Sequence, residues 1–503
     1  MPNIILNRRA VLRNLLSGSV ALSAPVWMRA EATMGWEAPG VPAWSIGWET
    51  VGREAIGPTA AGIEGKWPAQ LQGVLYRNGP AWFDRAGFRY QHWFDGDGMV
   101  QSWHMHQGRV THQARMVATP KFVREQQEGR FLVRAAGTRV PGAIPVRNND
   151  DLNTANTSVF RMGRRVFALW EGGSAFEIDP DTLRTSGPVT WRPDLAAMPF
   201  SAHPLVDRDG TVWNFGSLTL MGGSGLVVWR ISADGGHTDA HILETGSPGY
   251  LHSFVMTERF LVFVLTPLQE HRAEGPFFET LRFASRKPDL VAVVPKNALD
   301  APIWLEVDFA PIYHFADAYE RGDEIVVRAV RHHDLEEARS PMANAMRGEP
   351  QSGASRTELA SLRLPVRGAG KPRWESHGVE ALEFPITDTR FSGDASRIYA
   401  PITTGSAAVP YFNAIAGIDT PRGRRDVYSY DSRVMVEEHL FVPKSGRSPP
   451  GEGWLLGTML DYGRKRSGLA VFEASDISRG PIAQAWVPYH LPLGFHGLFA
   501  PAG

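Results

Sequence analysis

Short apolar runs separated by turn residues recur along most of the chain. The clearest run is Phe260–Leu265, which contains only aromatic, β-branched and aliphatic side chains and is followed by Thr-Pro. Such a run is typical of a strand that is buried on both faces. The same reasoning predicts strands at Thr211–Phe215, Leu226–Ile231, Glu324–Val330, Gly453–Met459 and Gly468–Phe472. The best early helix candidate is Thr119–Arg134, which we expect to cap the strands.

Successive short strands without regular strand–helix alternation indicate an all-β sandwich pair or a β-propeller. Three histidines favour the propeller, because His203, His252 and His314 are 49 and 62 residues apart, close to one blade each. A ring of blades directs one strand edge per blade at a common axis. No sequence repeat is visible, so the strand pattern alone leaves both architectures open.

The composition narrows the chemistry that the chain can perform. Its 51 glycines and 37 prolines predict many turns between short strands. The 52 basic residues nearly balance the 53 acidic ones, so no nucleic-acid partner is indicated. There is no cysteine, which excludes disulfides, thiolate metal sites and a cysteine nucleophile. A bound metal would therefore have histidine, carboxylate or carbonyl ligands.

The first 32 residues resemble a bacterial twin-arginine export signal. The pair Arg8-Arg9 precedes the modestly apolar segment Leu15–Val26, and Ala30–Ala32 offers a cleavage site. The alternative is a disordered basic amino terminus. We predict a signal at 1–32 and a single domain at 33–503, in a protein that is periplasmic or exported if the signal functions and cytoplasmic otherwise. No later segment approaches the ~18 apolar residues of a membrane span.

The segment 270–283 mixes phenylalanine and leucine with charged residues. It could contact a membrane peripherally or guard a tunnel, or it could pack as an ordinary loop, because exposed and buried apolar clusters look alike in sequence. Among the remaining histidines, His332 and His333 are predicted in a charged surface turn. His92, ahead of Asp95-Gly-Asp97, is interpreted as structural, and the two aspartates as turn residues.

Two polar residues border apolar strands and need partners. His252 precedes the strand Phe260–Leu265, so its imidazole must find a hydrogen bond or a metal. Glu171 ends the buried strand predicted at Val166–Gly173, where an unpaired charge is costly. A histidine would suit this carboxylate as a partner.

Five segments, taken in order and context, resemble the carotenoid cleavage oxygenases, also called the carotenoid oxygenase or retinal pigment epithelial membrane protein family. They are Ser201–Gly216, Leu251–Phe254, His314 before Ala318–Glu320, Glu383–Pro385 and Gly494–Gly497. The resemblance extends from about Gly73 to the end. It implies an all-β, seven-bladed β-propeller with a loop and helix cap over the metal-bearing face, holding one ferrous ion, Fe(2+), per chain.

The resemblance also implies roles for individual residues. The expected metal ligands are His203, His252, His314 and His496. The expected carboxylates behind three of these ligands are Glu171, Glu383 and Glu438. Such carboxylates would accept the outer ring N–H groups and offset the metal's charge. Thr157 and Trp170 are expected near the open coordination side, although ordinary strand packing would suit both residues equally well.

Glu438 is the weakest of these matches. The family usually has proline after this glutamate, whereas this chain has His439. Glu437 is adjacent, so the sequence leaves a register error of one residue open.

The function implied is a non-haem iron dioxygenase that cleaves a carbon–carbon double bond of a small apolar substrate into two carbonyl products. A carotenoid or apocarotenoid is favoured because Leu169–Gly173 resembles carotenoid-cleaving members. Lignostilbene or phenylpropene cleavage is the alternative; such relatives typically have a lysine before the Thr154–Thr157 segment, where this chain offers only Arg147. A non-catalytic propeller binding module and a zinc hydrolase are further alternatives.

Overall fold

The computed structural model describes most of the chain. The described residues are 41–269, 276, 278, 283–284, 287–334, 342–349, 356–368, 370–393, 397–405 and 411–502. The predicted signal at 1–32 and most of the segment 270–283 lie outside them, so the export and membrane predictions are not tested.

Seven antiparallel sheets of three to five strands, numbered here as blades 1 to 7, make up the described structure. Blade 1 contains Ala55–Ala60, Gly73–Trp82, Asp97–His106, Arg109–Met116 and Gly497–Pro501. Blade 2 contains Ser158–Met162, Arg165–Leu169, Phe176–Ile178 and Thr185–Pro188. Blade 3 contains Leu205–Val206, Val212–Ser217, Leu226–Ile231 and Thr238–Leu243. The prediction of an all-β, seven-bladed propeller is confirmed.

The remaining four blades follow in chain order. Blade 4 contains Gly249–Tyr250, Val255–Met256, Phe260–Pro267, Asp289–Pro295 and Ile303–Val307. Blade 5 contains Ile312–Arg321, Glu324–His332, Thr357–Pro365 and Arg373–Glu380. Blade 6 contains Ile398–Ile402, Ala414–Asp419 and Arg424–Ser429. Blade 7 contains Gly62–Gly65, Val434–Pro443, Gly453–Asp461, Arg466–Glu473 and Ala483–Trp486.

Two strand exchanges close the ring. Gly497–Pro501, near the carboxyl terminus, pairs with Gly73–Trp82 in blade 1. Gly62–Gly65, from the amino-terminal part, pairs with Ala483–Trp486 in blade 7. Because these pairings join segments from both sides of the described chain within blades 1 and 7, the two segments hold the ring closed together.

The apolar core is divided between the blades. Each pair of neighbouring blades encloses its own cluster of buried side chains, as Val264 of blade 4 and Val327 of blade 5 illustrate. Seven such clusters complete the circle, one per blade interface. This arrangement explains why strands such as Phe260–Pro267 are apolar on both faces rather than alternating.

The α-helix Pro120–Glu128 is shorter than predicted. Thr119 accepts a hydrogen bond from the Phe122 amide at its start, and Gly129, with φ of 65°, ends it. Lys121 and Glu125 of this helix form a buried ionic cluster with Asp97 and Arg85 of blade 1 and its hairpin. Asp97 therefore anchors this helix, a role that turn chemistry alone did not predict.

Short elements complete the described structure. The 3₁₀ helices are Ala43–Trp48, Trp93–Asp95, Asn149–Leu152, Pro193–Leu195, Leu218–Met221 and Ile477–Arg479, and 342–346 is helical. Asp84–Arg85 and Phe88–Arg89 form a small hairpin. None of the helices within the described ranges has the length and apolarity needed to cross a bilayer.

Asp289 predicts a specific pH dependence of stability. Its carboxyl is fully buried and accepts a hydrogen bond from the Ala310 amide, and burial raises its pKa from 3.8 to about 7. Because the folded state binds the proton more tightly than the unfolded state, stability falls as pH rises between about 4 and 7. Asp289→Asn should therefore raise the free energy of unfolding near pH 9 by up to about 4 kcal/mol, and little near pH 4.

Urea denaturation at both pH values checks this expectation. Asp300→Asn, at an exposed position, is the matched control and should leave stability unchanged at either pH. An equal effect of Asp289→Asn at both pH values would contradict the assignment.

Candidate metal centre

Four histidines lie at the edge strands of four different blades. His203 precedes Leu205–Val206 of blade 3, and His314 lies in Ile312–Arg321 of blade 5. His252 lies between the two short edge strands of blade 4, and His496 immediately precedes Gly497–Pro501 of blade 1. The closed ring directs these edges to one point, as the sequence predicted.

The ring nitrogens of the four histidines converge there. One ligand atom from each residue lies within 4.8 Å of all the others. The His203 and His252 Nε2 atoms are 2.9 Å apart, and the His314 and His496 Nε2 atoms are 3.2 Å apart. His252 and His496 are buried, and the other two are nearly so. These side chains are close enough together to coordinate one ion.

Three of the histidines have a carboxylate behind them. The distance from Nδ1 to the nearest carboxylate oxygen is 2.9 Å for His252 and Glu171, 2.6 Å for His314 and Glu383, and 2.9 Å for His496 and Glu438. In the described structure, no carboxylate contacts the ring of His203. The structure thus brings together all seven residues that the sequence put at this centre.

The hydrogen bonds fix the tautomers of these rings. An Nδ1 atom that faces a carboxylate carries the proton, so Nε2 of the same ring presents a lone pair. The Nε2 lone pairs of His314 and His496 then face each other at 3.2 Å and repel unless a cation lies among them. The donor set therefore fits a divalent metal ion bound by imidazoles.

Burial favours the neutral imidazoles that metal binding requires. It lowers the pKa of His203 and of His496 well below the usual value, and the neighbouring histidines add to the effect. Burial also lowers the pKa of His314, although Glu383 opposes it. Burial alone would raise the pKa of Glu383, but the hydrogen-bonding histidines prevail and hold it below its ordinary range. Glu383 is thus an ionised acceptor.

A β-bulge resolves the register beside His439. The pairing of Val434–Pro443 with its neighbour shifts between Val436 and His439, so Glu437 and Glu438 both reach the segment around His496. Glu438 contacts His496, whereas Glu437 accepts the amide hydrogen bond of Gly494. The structure therefore assigns Glu438, not Glu437, to the position behind the histidine.

Arg77 holds Glu438 and was missed by the sequence analysis. Its Nη1 donates to Glu438 Oε2 at 2.8 Å, and its Nη2 donates to the Phe495 carbonyl at 3.0 Å. The guanidinium is fully buried. Arg77 lies in the buried strand Gly73–Trp82, and a charge in such a strand was the available signal for a partner.

The prediction of a surface turn at His332 is wrong. The strand continues past Val330 to His332, which is buried and lies 2.5 Å, Nε2 to Oε1, from Glu383. Extending the strand's alternation by two residues would have placed His332 on the inner face. His333 is exposed, as predicted.

Glu383 is followed by a strained residue. Phe384 has φ of 50°, which is costly for a bulky side chain, and its amide donates to Glu383 Oε2 at 2.9 Å. Its ring centroid lies 4.9 Å from that of His314 and 5.1 Å from that of His496. The strained backbone thus places an aromatic ring directly beside the histidine cluster.

Further aromatic rings pack in a chain that begins at Phe384. Phe412 is 6.1 Å away, Tyr411 follows at 4.9 Å from Phe412, and Trp93 at 5.6 Å from Tyr411, by ring centroids. The Trp93 ring also contacts that of Phe495, the residue before His496, with the centroids 4.6 Å apart. These packed rings make the surroundings of the histidine cluster apolar on this side.

Thr157 and Trp170 adjoin the centre through the backbone. The Thr157 carbonyl accepts the amide hydrogen bond of His496 at 3.3 Å, and its hydroxyl donates to Asn156 at 3.1 Å. Trp170 immediately precedes Glu171, and its ring lies over Gly172. Their predicted position beside the centre is compatible with these contacts; a part in the reaction stays a prediction.

Gly172 gives Trp170 its space. A Cβ atom at Gly172 would lie 2.6 Å from the indole ring. Gly172→Ala should therefore displace the ring and lower the free energy of unfolding by about 1–3 kcal/mol, measured by urea denaturation. Gly446→Ala, where a Cβ meets open space, is the matched control and should cost far less. Equal stability of the two variants would refute the packing argument.

Two described residues of the segment 270–283 pack against the protein. Phe278 lies 4.8 Å from the His92 ring, and Phe283 is buried against Tyr250 at 6.1 Å, by centroids. His92 itself accepts a hydrogen bond from the Phe94 amide, in agreement with its predicted structural role. At these two positions the contacts favour a packed loop.

Fold and site together define a β-propeller protein in which four histidines from four blades converge on one possible metal site. The chain matches the family described as "Retinal pigment epithelial membrane protein" over residues 48–501 and belongs to that family. The family resemblance predicted from five short segments is thereby confirmed.

Curated relatives and solved structures extend this finding. The chain is 27% identical to the apocarotenoid-15,15'-oxygenase of Synechocystis sp., a match that covers 87% of this chain and 92% of the relative. It is 25% identical to an isoeugenol monooxygenase of Pseudomonas nitroreducens, covering 87% and 94%. The crystal structure of a cobalt-substituted Synechocystis ACO superposes with a TM-score of 0.82 at 24% identity, covering 92% and 98%.

Proposed function

We propose that this protein is a non-haem ferrous dioxygenase that cleaves a carbon–carbon double bond and releases two carbonyl products. Dioxygen supplies one oxygen atom to each carbon, so the reaction balances without a further reductant. The convergence of four Nε2 atoms, three of them on rings held by glutamates, carries this proposal.

Ferrous iron is the proposed ion. Zinc prefers four-coordinate closure or a bound water, and an all-imidazole set without a carboxylate ligand is not a strong zinc pattern. Bound ferrous iron would supply the activation of dioxygen. The glutamates keep each ring oriented and offset the charge that four neutral ligands leave uncompensated.

The chain's own residues position the substrate and exclude water. Phe384, whose ring lies beside His314 and His496, would offer an apolar, rigid contact for a conjugated substrate, with the rings of Phe412, Tyr411 and Trp93 packed behind it. Thr157 and Trp170 would limit what approaches from the side of blade 2. A dry site strengthens the electrostatic interactions within it.

A carotenoid or apocarotenoid is the proposed substrate class, in line with the apocarotenoid oxygenase relative. The isoeugenol monooxygenase relative supports a phenylpropene or stilbene as the alternative. Arg147 does not provide the cation that such a phenolate would need here, because its side chain is 85% exposed and pairs with Asp151 at 2.9 Å. A carotenoid or apocarotenoid therefore remains the preferred substrate class.

The decisive experiment is a substrate panel. The ferrous-loaded protein is incubated in air with apocarotenals and with stilbenes, and product masses are measured. We expect two carbonyl products from an apocarotenal and none without oxygen. Cleavage of stilbenes alone would reverse the substrate order. A zinc hydrolase would remain active without oxygen, and a non-catalytic propeller would give no product at all.

Export through a signal at 1–32 and peripheral membrane contact through 270–283 stay proposals. The paired arginines support export. For the membrane, the inward packing of Phe278 and Phe283 leaves only the other residues of that segment as contacts.

A further inference from the structure

We infer that His332 is a positioning residue that fixes the Glu383 carboxylate and, through it, the ring of His314. This inference rests on the proposed metal site. His332 contacts Glu383 rather than a metal-binding histidine, and it ends Glu324–His332, the second strand of blade 5.

Glu383 is held by three donors on its two oxygens. His314 Nδ1 and the Phe384 amide both reach Oε2, at 2.6 and 2.9 Å. His332 Nε2 is the partner of Oε1, at 2.5 Å. Without His332 the Glu383 carboxylate could rotate about its Cγ–Cδ bond. The hydrogen bond to Oε1 therefore fixes the plane of the carboxylate, and with it the direction from which Oε2 holds the His314 ring.

Glu383 needs such an anchor because it lies outside the blade strands. The connection between blades 5 and 6 carries it, and Ala381 and Phe384 there have φ of 57° and 50°. The hydroxyl of Thr357 donates to the Leu382 carbonyl at 2.8 Å and accepts from the Leu382 amide at 3.0 Å. The backbone of the connection is thereby tied to blade 5.

His332 and Thr357 act from the same place. They are directly paired across neighbouring strands. Thr357 holds the backbone of the connection at Leu382, and His332 holds Oε1 of the Glu383 carboxylate. The backbone N–H of His332 donates a hydrogen bond to the Pro311 carbonyl at 2.8 Å, and the ring of Tyr313 packs edge-on against its imidazole, with the ring centroids 4.9 Å apart. Its orientation is therefore set by the sheet.

The three glutamates differ in what holds their outer oxygen. Glu438 is held by Arg77 and the Gly497 amide, both at 2.8 Å. Glu171 has a 20% exposed side chain, and in the described structure only His252 contacts it. Of the three, within the described residues, Glu383 alone has a second imidazole, that of His332, on its other oxygen. His332 thus orients its carboxylate without the guanidinium that neutralises Glu438.

Metal affinity tests the inference on the full chain. Cobalt and ferrous ion binding are measured anaerobically by chelator competition near pH 8, with the cobalt absorption spectrum as a report on coordination. His332→Phe should weaken binding about 10- to 100-fold, the loss typical for partners that orient a metal-binding histidine. His332→Gln, which keeps an N–H donor of similar reach, should restore most of the affinity. His333→Phe, at the exposed neighbour, should bind as wild type does.

A double-mutant cycle separates positioning from packing. In a Glu383→Gln background, His332→Phe should cost little further affinity, because its target is already altered. His332→Asn, which is too short to reach Glu383, should weaken metal binding as His332→Phe does. If the phenylalanine variant does not fold, the asparagine variant alone tests whether His332 positions Glu383.

Three results would overturn the inference: wild-type affinity and spectrum in both His332→Phe and His332→Asn, equal losses in His332→Gln and His332→Asn, or an undiminished loss in the Glu383→Gln background. If the wild-type chain binds neither ion, the inference falls together with the metal site. If it binds metal and follows the expected pattern but cleaves no substrate, only the proposed function fails.

Discussion

His314→Ala is expected to abolish oxygen-dependent cleavage and to weaken ferrous binding about 100-fold or more. The substitution removes one of four converging Nε2 donors and leaves Glu383 Oε2 without its ring N–H partner. Structural metal sites with four ligands are worth roughly 10–16 kcal/mol, or about 3 kcal/mol per ligand, which sets this magnitude. Iron content and product formation are measured after anaerobic loading.

His237→Ala is the matched control for that variant. His237 lies on the surface, with a 75% exposed side chain that pairs only with Asp239. It should retain iron and activity. A His314→Ala protein that keeps wild-type iron content would contradict the assigned ligand set.

Arg77→Met should lower the free energy of unfolding by about 3–5 kcal/mol. It leaves the buried Glu438 carboxylate without its cation and the Phe495 carbonyl without its donor. Breaking one side of a buried ion pair is costly because the remaining charge stays desolvated. Burial already raises the pKa of Glu438 even with Arg77 present, which shows how poorly the site tolerates that charge.

Urea denaturation measures the effect against Arg165→Met. Arg165 pairs with Glu177 at 2.8 Å but is 44% exposed, so its loss should cost less than about 1 kcal/mol. Adding Glu438→Gln to Arg77→Met should recover part of the lost stability. A small effect of Arg77→Met would show that the pair does not support the centre.

The four histidines named through the family resemblance do converge in the structure, and each lies in a local motif at a strand edge. The strand Leu226–Ile231 was also predicted to the residue, since its apolar run has clear ends. The closed propeller was predicted only through the family resemblance. The pairing of Gly73–Trp82 with Gly497–Pro501 produces no recognisable pattern in the sequence of either strand alone.

The residues that were missed depend on distant neighbours. Arg77 and Glu438 are 361 positions apart, and no local pattern connects them. The bulge beside His439 is defined by the partner strand, so the sequence named Glu438 but left a register error of one residue open, and the structure places Glu438 against His496. His332 was missed for a simpler reason, because its strand was predicted to end two residues early.

X-ray absorption at the iron edge of the anaerobic, ferrous-loaded protein tests the central claim most directly. The account predicts a nearest shell of nitrogen scatterers with the outer-ring signature of four imidazoles. A nearest shell dominated by carboxylate oxygen, or fewer imidazoles than the quartet supplies, would contradict it.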